Sequence, residues 1–65
     1  MDKREKLLTK WDFYKSRGLR VGQSLINALA DVDTALYRDI RNTEADCYYS
    51  DDKVPQTLDY IKERI

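Results

Sequence analysis

The sequence predicts an all-α fold: a compact bundle of three main helices plus a short C-terminal helix. Apolar residues recur at three- and four-residue spacing through most of the 65 residues. Capping and helix-breaking residues fall at the ends of those runs, and no stretch alternates convincingly at period two as a strand would.

The first helix is read from Asp2 to Arg17. Asp2 with Glu5 three residues on resembles a capping box, and Leu7, Leu8, Trp11 and Tyr14 fall on one stripe. Gly18 suits the left-handed position just past the helix end, where a Schellman motif would fold Leu19 back onto Tyr14. A second helix runs from Val21 to Val32, with Val21, Leu25, Ala28, Leu29 and Val32 facing one way and Ile26 and Gly22 widening the stripe. Asp33 is the expected N-cap of a third helix, Thr34 to about Asn42, whose inward residues are Leu36, Tyr37 and Ile40. Val32 and Tyr37 stand at the spacing of a hydrophobic staple across that cap.

Thr43 to Asp52 breaks the rhythm and reads as an ordered connection with room for a short helical turn. Pro55 then opens a last helix to Ile65, because proline is tolerated in a first turn and turns Val54 away from helix. Its stripe is Val54, Leu58, Ile61 and Ile65. The expected core is Leu7, Trp11, Leu25, Leu29, Leu36, Ile40, Leu58 and Ile61, with Ser50 to Val54 closing the fold.

A chain of 65 residues has room for one helical domain, 1–65, and one core. It has no histidine and one cysteine, Cys47. That removes the usual general base, the Ser-His-Asp arrangement, an internal disulfide and Cys-rich zinc sites. Small secreted domains usually need such staples, so the expected compartment is the cytoplasm. No apolar run approaches a membrane span, and the charged start leads into no signal-peptide core. No cofactor, metal or membrane contact is expected.

The formal charge is zero, with 12 Lys+Arg against 12 Asp+Glu, yet it is unevenly placed. Residues 1–20 hold seven basic and three acidic groups, residues 21–52 two and seven, and residues 53–65 three and two, for nets of +4, −5 and +1.

Lys6, Lys10, Phe13 and Arg17 form a stripe on the first helix away from Leu7, Trp11 and Tyr14. An aromatic among three cations suits stacking on a base beside phosphates, or an acidic patch on a protein partner or second subunit. A solvated basic face with Phe13 under lysine stems uses the same residues. Zero net charge argues against nucleic acid, whose binders normally carry a basic excess. A helix-turn-helix across helices two and three lacks the usual turn glycine and would set an acidic turn against phosphates.

In the connection, Glu44, Asp46, Asp51 and Asp52 do not match a calcium loop, which needs alternate carboxylates and a glycine at the sixth position. Thr43, Asp46 and Asp51 are expected to fix the loop through backbone N–H groups, with Tyr48 or Tyr49 plugging the core. Cys47 lies among carboxylates, which argues against an activated thiol. The segment Arg17 to Ser24 offers free N–H groups, two arginines and two glycines to an anion, although Gly18 has a capping role and Gly22 also suits a close helix approach.

Gly22-Gln23, Asn27-Ala28-Leu29, Ile40-Arg41, Thr43, Asp46 and Tyr48-Tyr49-x-Asp51 together resemble small uncharacterised bacterial and phage-borne helical proteins. These pair a Gly-Gln helix with a Thr-x-x-Asp-x-aromatic-aromatic loop. The resemblance spans roughly Arg17 to Ile61 and leaves most of the first helix outside it. It implies a compact helical protein of bacterial or phage origin and brings no known activity with it.

The expected function is a non-enzymatic interaction module, a regulator or inhibitor that binds a protein partner or itself. Its expected partner-binding residues are Lys6, Lys10, Phe13, Arg17 and Tyr60, since Phe13 and Tyr60 are aromatics on otherwise polar faces. The alternative is nucleic-acid or nucleotide binding through Lys6, Lys10, Phe13, Arg17 and Arg20. An enzyme working through Asp46 and Asp51 lacks an activated base or nucleophile.

Overall fold

Asp2 opens the first helix as the sequence suggests: its carboxylate accepts the Glu5 N–H at 2.9 Å, filling one of the donors a helix start leaves free. In this computed structural model, which describes residues 2–41 and 43–65, that helix is α1 (Lys3–Ser16). It ends at Gly18, which takes φ +89°, a backbone conformation that costs glycine little. The Gly18 N–H reaches the Lys15 carbonyl at 3.1 Å, the inner bond of a Schellman turn, while the Tyr14 carbonyl accepts from Arg17 at 3.1 Å.

Helix α2 (Val21–Val32) is the centre of the molecule: Gly22, Ser24, Leu25, Ile26, Ala28 and Leu29 are all buried. Burial on several sides follows from its neighbours, since α2 packs against α1, against α3 (Thr34–Ile40) and against α4 (Val54–Arg64). Leu7, Leu36, Ile40, Cys47 and Ile61 complete the core, with Trp11, Tyr14, Tyr37, Tyr48, Leu58 and Tyr60 partly buried at its margin. The radius of gyration is 10.4 Å, close to the ~10.7 Å of a fully compact chain of this length. No strand occurs among the described residues, and no helix there is long and apolar enough to cross a membrane. The fold is all-α.

Four local expectations are corrected. Leu8 is 55% exposed and Val21 42% exposed, so neither joins the buried stripe assigned to it. Helix α1 packs on one helix only, and that contact is narrower than its apolar set. Val21 turns outward while its carbonyl accepts the Trp11 indole N–H at 3.1 Å. Helix α3 stops at Ile40, whose carbonyl is taken by both the N–H and the hydroxyl of Thr43 at 3.0 and 2.9 Å; Asn42 lies outside the described residues. Val54 is helical, because a 3-10 turn at Asp51–Lys53 feeds straight into α4 and leaves Pro55 at a first-turn position.

The single residue Asp33 joins α2 to α3. Its Oδ1 accepts the Leu36 N–H at 3.1 Å and its Oδ2 meets Lys3 Nζ at 2.9 Å. The bond from Lys3, then that from Leu36, holds this carboxyl below its ordinary value. Asp33→Ala is expected to cost about 1 kcal/mol at neutral pH, the usual worth of an N-cap. A carboxyl depressed on folding stabilises above its unfolded pKa of about 3.9 and stops doing so as pH falls through its folded value. The urea-unfolding gap between wild type and Asp33→Ala should therefore be full at neutral pH and close in acid. A gap that persists unchanged into strong acid would remove this role.

Candidate functional site

One surface feature and one partly buried cluster gather most of the residues that the sequence singles out. The surface feature is one flank of α1, where helical spacing sets Lys6, Lys10, Phe13 and Arg17 side by side. Phe13 is 46% exposed and meets the Tyr14 ring edge-on at 5.3 Å. Lys10 Nζ lies 5.7 Å and the Arg17 guanidinium 5.3 Å from the Phe13 ring centre, within cation–π range. Lys6 and Lys10 continue the flank into an open groove lined with Thr9, Asp31 and Val32.

One carboxylate enters this flank from α2. Asp31 lies 3.8 Å from Lys10 Nζ and accepts the Tyr14 hydroxyl at 2.6 Å. That hydrogen bond first, with burial and the carboxylate's charge behind it, holds the Tyr14 phenol above its ordinary value. The Lys10–Asp31 pair is exposed at both ends and contributes little to stability. Lys6 has no ion pair among the described residues. The flank thus presents an aromatic ring framed by cations, with a single carboxylate at its inner edge.

Tyr60 stands apart from this cluster. It is half-buried against the core, and Arg64 covers its ring at 3.6 Å, so the expectation of an exposed aromatic on a polar face is corrected. Arg20 is likewise committed elsewhere: its guanidinium donates to the Tyr48 carbonyl at 2.6 Å.

The connection from Thr43 onward folds over the start of α2. Asp51 Oδ1 accepts the Gly22 N–H at 2.9 Å, so one of the free donors at that helix start is answered by a carboxylate of the chain itself. A Cβ on Gly22 would lie 2.2 Å from the Cys47 carbonyl oxygen, which shows why a glycine stands there. Cys47 is buried, its thiol directed at the Gly22 carbonyl at 3.4 Å, and burial pushes that thiol up, away from the reactive thiolate. Gln23 donates to the Tyr48 hydroxyl at 3.1 Å, and the buried Thr57 hydroxyl reaches the carbonyls of Ala45 and Lys53.

Asp46 ties the cluster together. Its Oδ1 accepts the Tyr48 N–H at 2.9 Å, an Asx turn, and its Oδ2 lies 2.9 Å from Arg41 Nε. That Nε–H is not aimed along a hydrogen bond, so the contact is a close ion pair without ideal geometry. Burial disfavours the Arg41 charge, but Asp46 and Tyr37 together outweigh it and raise the guanidinium's pKa. Arg41 also stacks over Tyr48 at 4.5 Å. Thr43 accepts the Ala45 N–H at 3.1 Å. Tyr49, expected to help structure the loop, is instead 77% exposed and touches Tyr48 edge-on.

Comparison with known protein families, with curated proteins and with solved structures gives no match. The chemistry of the chain's own groups therefore carries the functional argument. Among the described residues, no cluster of three or more Cys, Asp or Glu is arranged to hold a metal ion. Two carboxylates of the loop are already engaged, Asp46 with Arg41 and Asp51 with the start of α2. Asp31 and the α1–α4 relation described below could not be found from sequence, because each depends on the meeting of separate helices. Gly22 could be: a glycine early in an otherwise apolar helix signals a close approach.

Proposed function

We propose that this chain is a non-enzymatic interaction module that binds a protein partner through the α1 flank of Lys6, Lys10, Phe13 and Arg17. The observation that carries the proposal is Phe13, left 46% exposed between two cations. Aromatics and arginines are enriched at the centres of interfaces, where a ring fills a pocket and cations meet carboxylates. The partner surface suited to it is apolar at its centre and acidic at its rim. A bacterial or phage setting belongs to the same proposal, supported by the resemblance of the Gly-Gln helix and its loop. A cytoplasmic one rests on a single, buried, unpaired cysteine.

Nucleic-acid binding through the same flank is the weaker reading. Asp31 sets a negative charge beside Lys10, and Arg20 is held by the loop. Phosphate binding favours an unbroken basic surface.

Phe13→Ala is expected to abolish partner capture or self-association while leaving unfolding within about 0.5 kcal/mol of wild type, as surface changes usually do. Affinity capture from host extract and sedimentation of the purified chain, each run on both proteins, check this. Identical capture and sedimentation profiles would overturn the proposal. Salt-sensitive binding of a labelled oligonucleotide, lost in Phe13→Ala, would put nucleic acid in its place.

A further inference from the structure

The other flank of α1 carries a second surface. Helices α1 and α4 both rest on α2 yet do not pack on one another. Between them lies an open groove of 230 Å³ lined by Leu7, Leu8 and Leu58, with Arg4 and Lys62 at its edges. Leu7 forms a nearly buried floor, and Leu8 stands 55% exposed at the lip. Phe13, five residues further on, lies about 140° around the helix, so the two surfaces are separate.

The charges at the rim say what fits. Lys3, Lys10, Lys15, Arg41 and Arg64 each have a carboxylate within ion-pair distance. Arg4 and Lys62 have none among the described residues, although both border apolar surface. A second copy docking symmetrically would set this rim against its own image, cation to cation. A flat bilayer cannot enter a concave space between two helices, whereas the ridge of a third helix can.

The geometry points to a docking groove for an acidic amphipathic helix of a partner protein, its apolar edge on Leu7, Leu8 and Leu58 and its carboxylates on Arg4 and Lys62. Such a helix offers apolar residues at i, i+3 or i+4, and i+7, flanked by Glu or Asp. It completes the packing that α1 and α4 leave open.

The test uses the full chain and a labelled synthetic helix of 14 residues, the length of α1, with leucines at that spacing and glutamates beside them. A matched peptide carries lysines in place of the glutamates. Fluorescence anisotropy is expected to show the glutamate peptide binding at least about tenfold more tightly than the lysine peptide. Leu8→Glu should weaken it about 30-fold, the effect of losing one interface anchor. Helix propensity is nearly equal for Leu and Glu, so α1 should remain folded. The double variant Arg4→Glu, Lys62→Glu should invert the preference between the peptides. Phe13→Ala should leave peptide binding unchanged, which separates this groove from the flank proposed above. Equal or absent binding of the two peptides, or indifference to Leu8→Glu, would overturn the inference. So would Leu8-dependent binding to phosphatidylglycerol vesicles without peptide binding, or a dimer in sedimentation that Leu8→Glu dissolves.

Discussion

Gly22→Ala is expected to cost about 2–3 kcal/mol, a large share of the ~3–10 kcal/mol that holds a chain of this size together. The added Cβ would meet the Cys47 carbonyl oxygen at 2.2 Å and Asp51 Oδ1 at 2.9 Å. The Cys47 oxygen is backbone, already accepts the Ser50 N–H at 3.1 Å, and cannot swing aside as a flexible side chain would. Relief requires the loop to lift off α2, which loosens the Gly22–Asp51 and Cys47–Gly22 bonds together. Alanine's better helix propensity returns about 1 kcal/mol, too little to cancel those losses. Gly18→Ala is the control: nothing lies within 4 Å of its Cβ, so the +89° φ alone is strained. That strain is worth about 1–2 kcal/mol. Urea unfolding should rank wild type above Gly18→Ala and Gly18→Ala above Gly22→Ala. Asp51→Ala should cost less in the Gly22→Ala background than alone, because the lifted loop has already lost that contact. A Gly22→Ala protein as stable as wild type would show that the loop does not clamp the start of α2.

The clamp also explains where sequence reasoning succeeds and where it stops. Asp2, Gly18 and Asp33 act on backbone two to four residues away, so the ends of α1 and the start of α3 are readable from the residues themselves. The Asx turn of Asp46 and the Thr43 contacts are local in the same way. The bonds from Gly22 to Asp51, Gln23 to Tyr48 and Thr57 to Ala45 join distant positions and leave no periodic trace. Gly22, Gln23, Arg41, Thr43, Asp46, Tyr48 and Asp51 meet in this cluster, which makes them builders of the loop. On the surface, a helical wheel finds Lys6, Lys10, Phe13 and Arg17, because one helix holds all four. It cannot find Asp31 beside them, nor separate Leu8 from Leu7, since both outcomes depend on which neighbour α1 meets. Tyr60 misleads for the same reason in its contact with the core beneath; the cover from Arg64, one turn along the same helix, is local.

Leu29→Ala is expected to cost about 2–5 kcal/mol, the range for removing a buried leucine side chain and leaving part of its volume empty. Leu29 has no exposed surface and sits on α2, the helix against which α1, α3 and α4 all rest. Leu8→Ala, at a position 55% exposed, should cost well under half as much. Thermal and urea unfolding of both variants check the ratio, and an unchanged midpoint for Leu29→Ala would remove α2 from the centre of the core. The same variant separates stability from recognition. Both α1 surfaces take their shape from the docking of α1 on α2, so Leu29→Ala should weaken binding at each in proportion to the fraction unfolded. An osmolyte such as trimethylamine oxide, which favours the compact state, should then restore that binding. Phe13→Ala at one surface and Leu8→Glu at the other remove contacts from a folded chain, and no osmolyte should return what they lose.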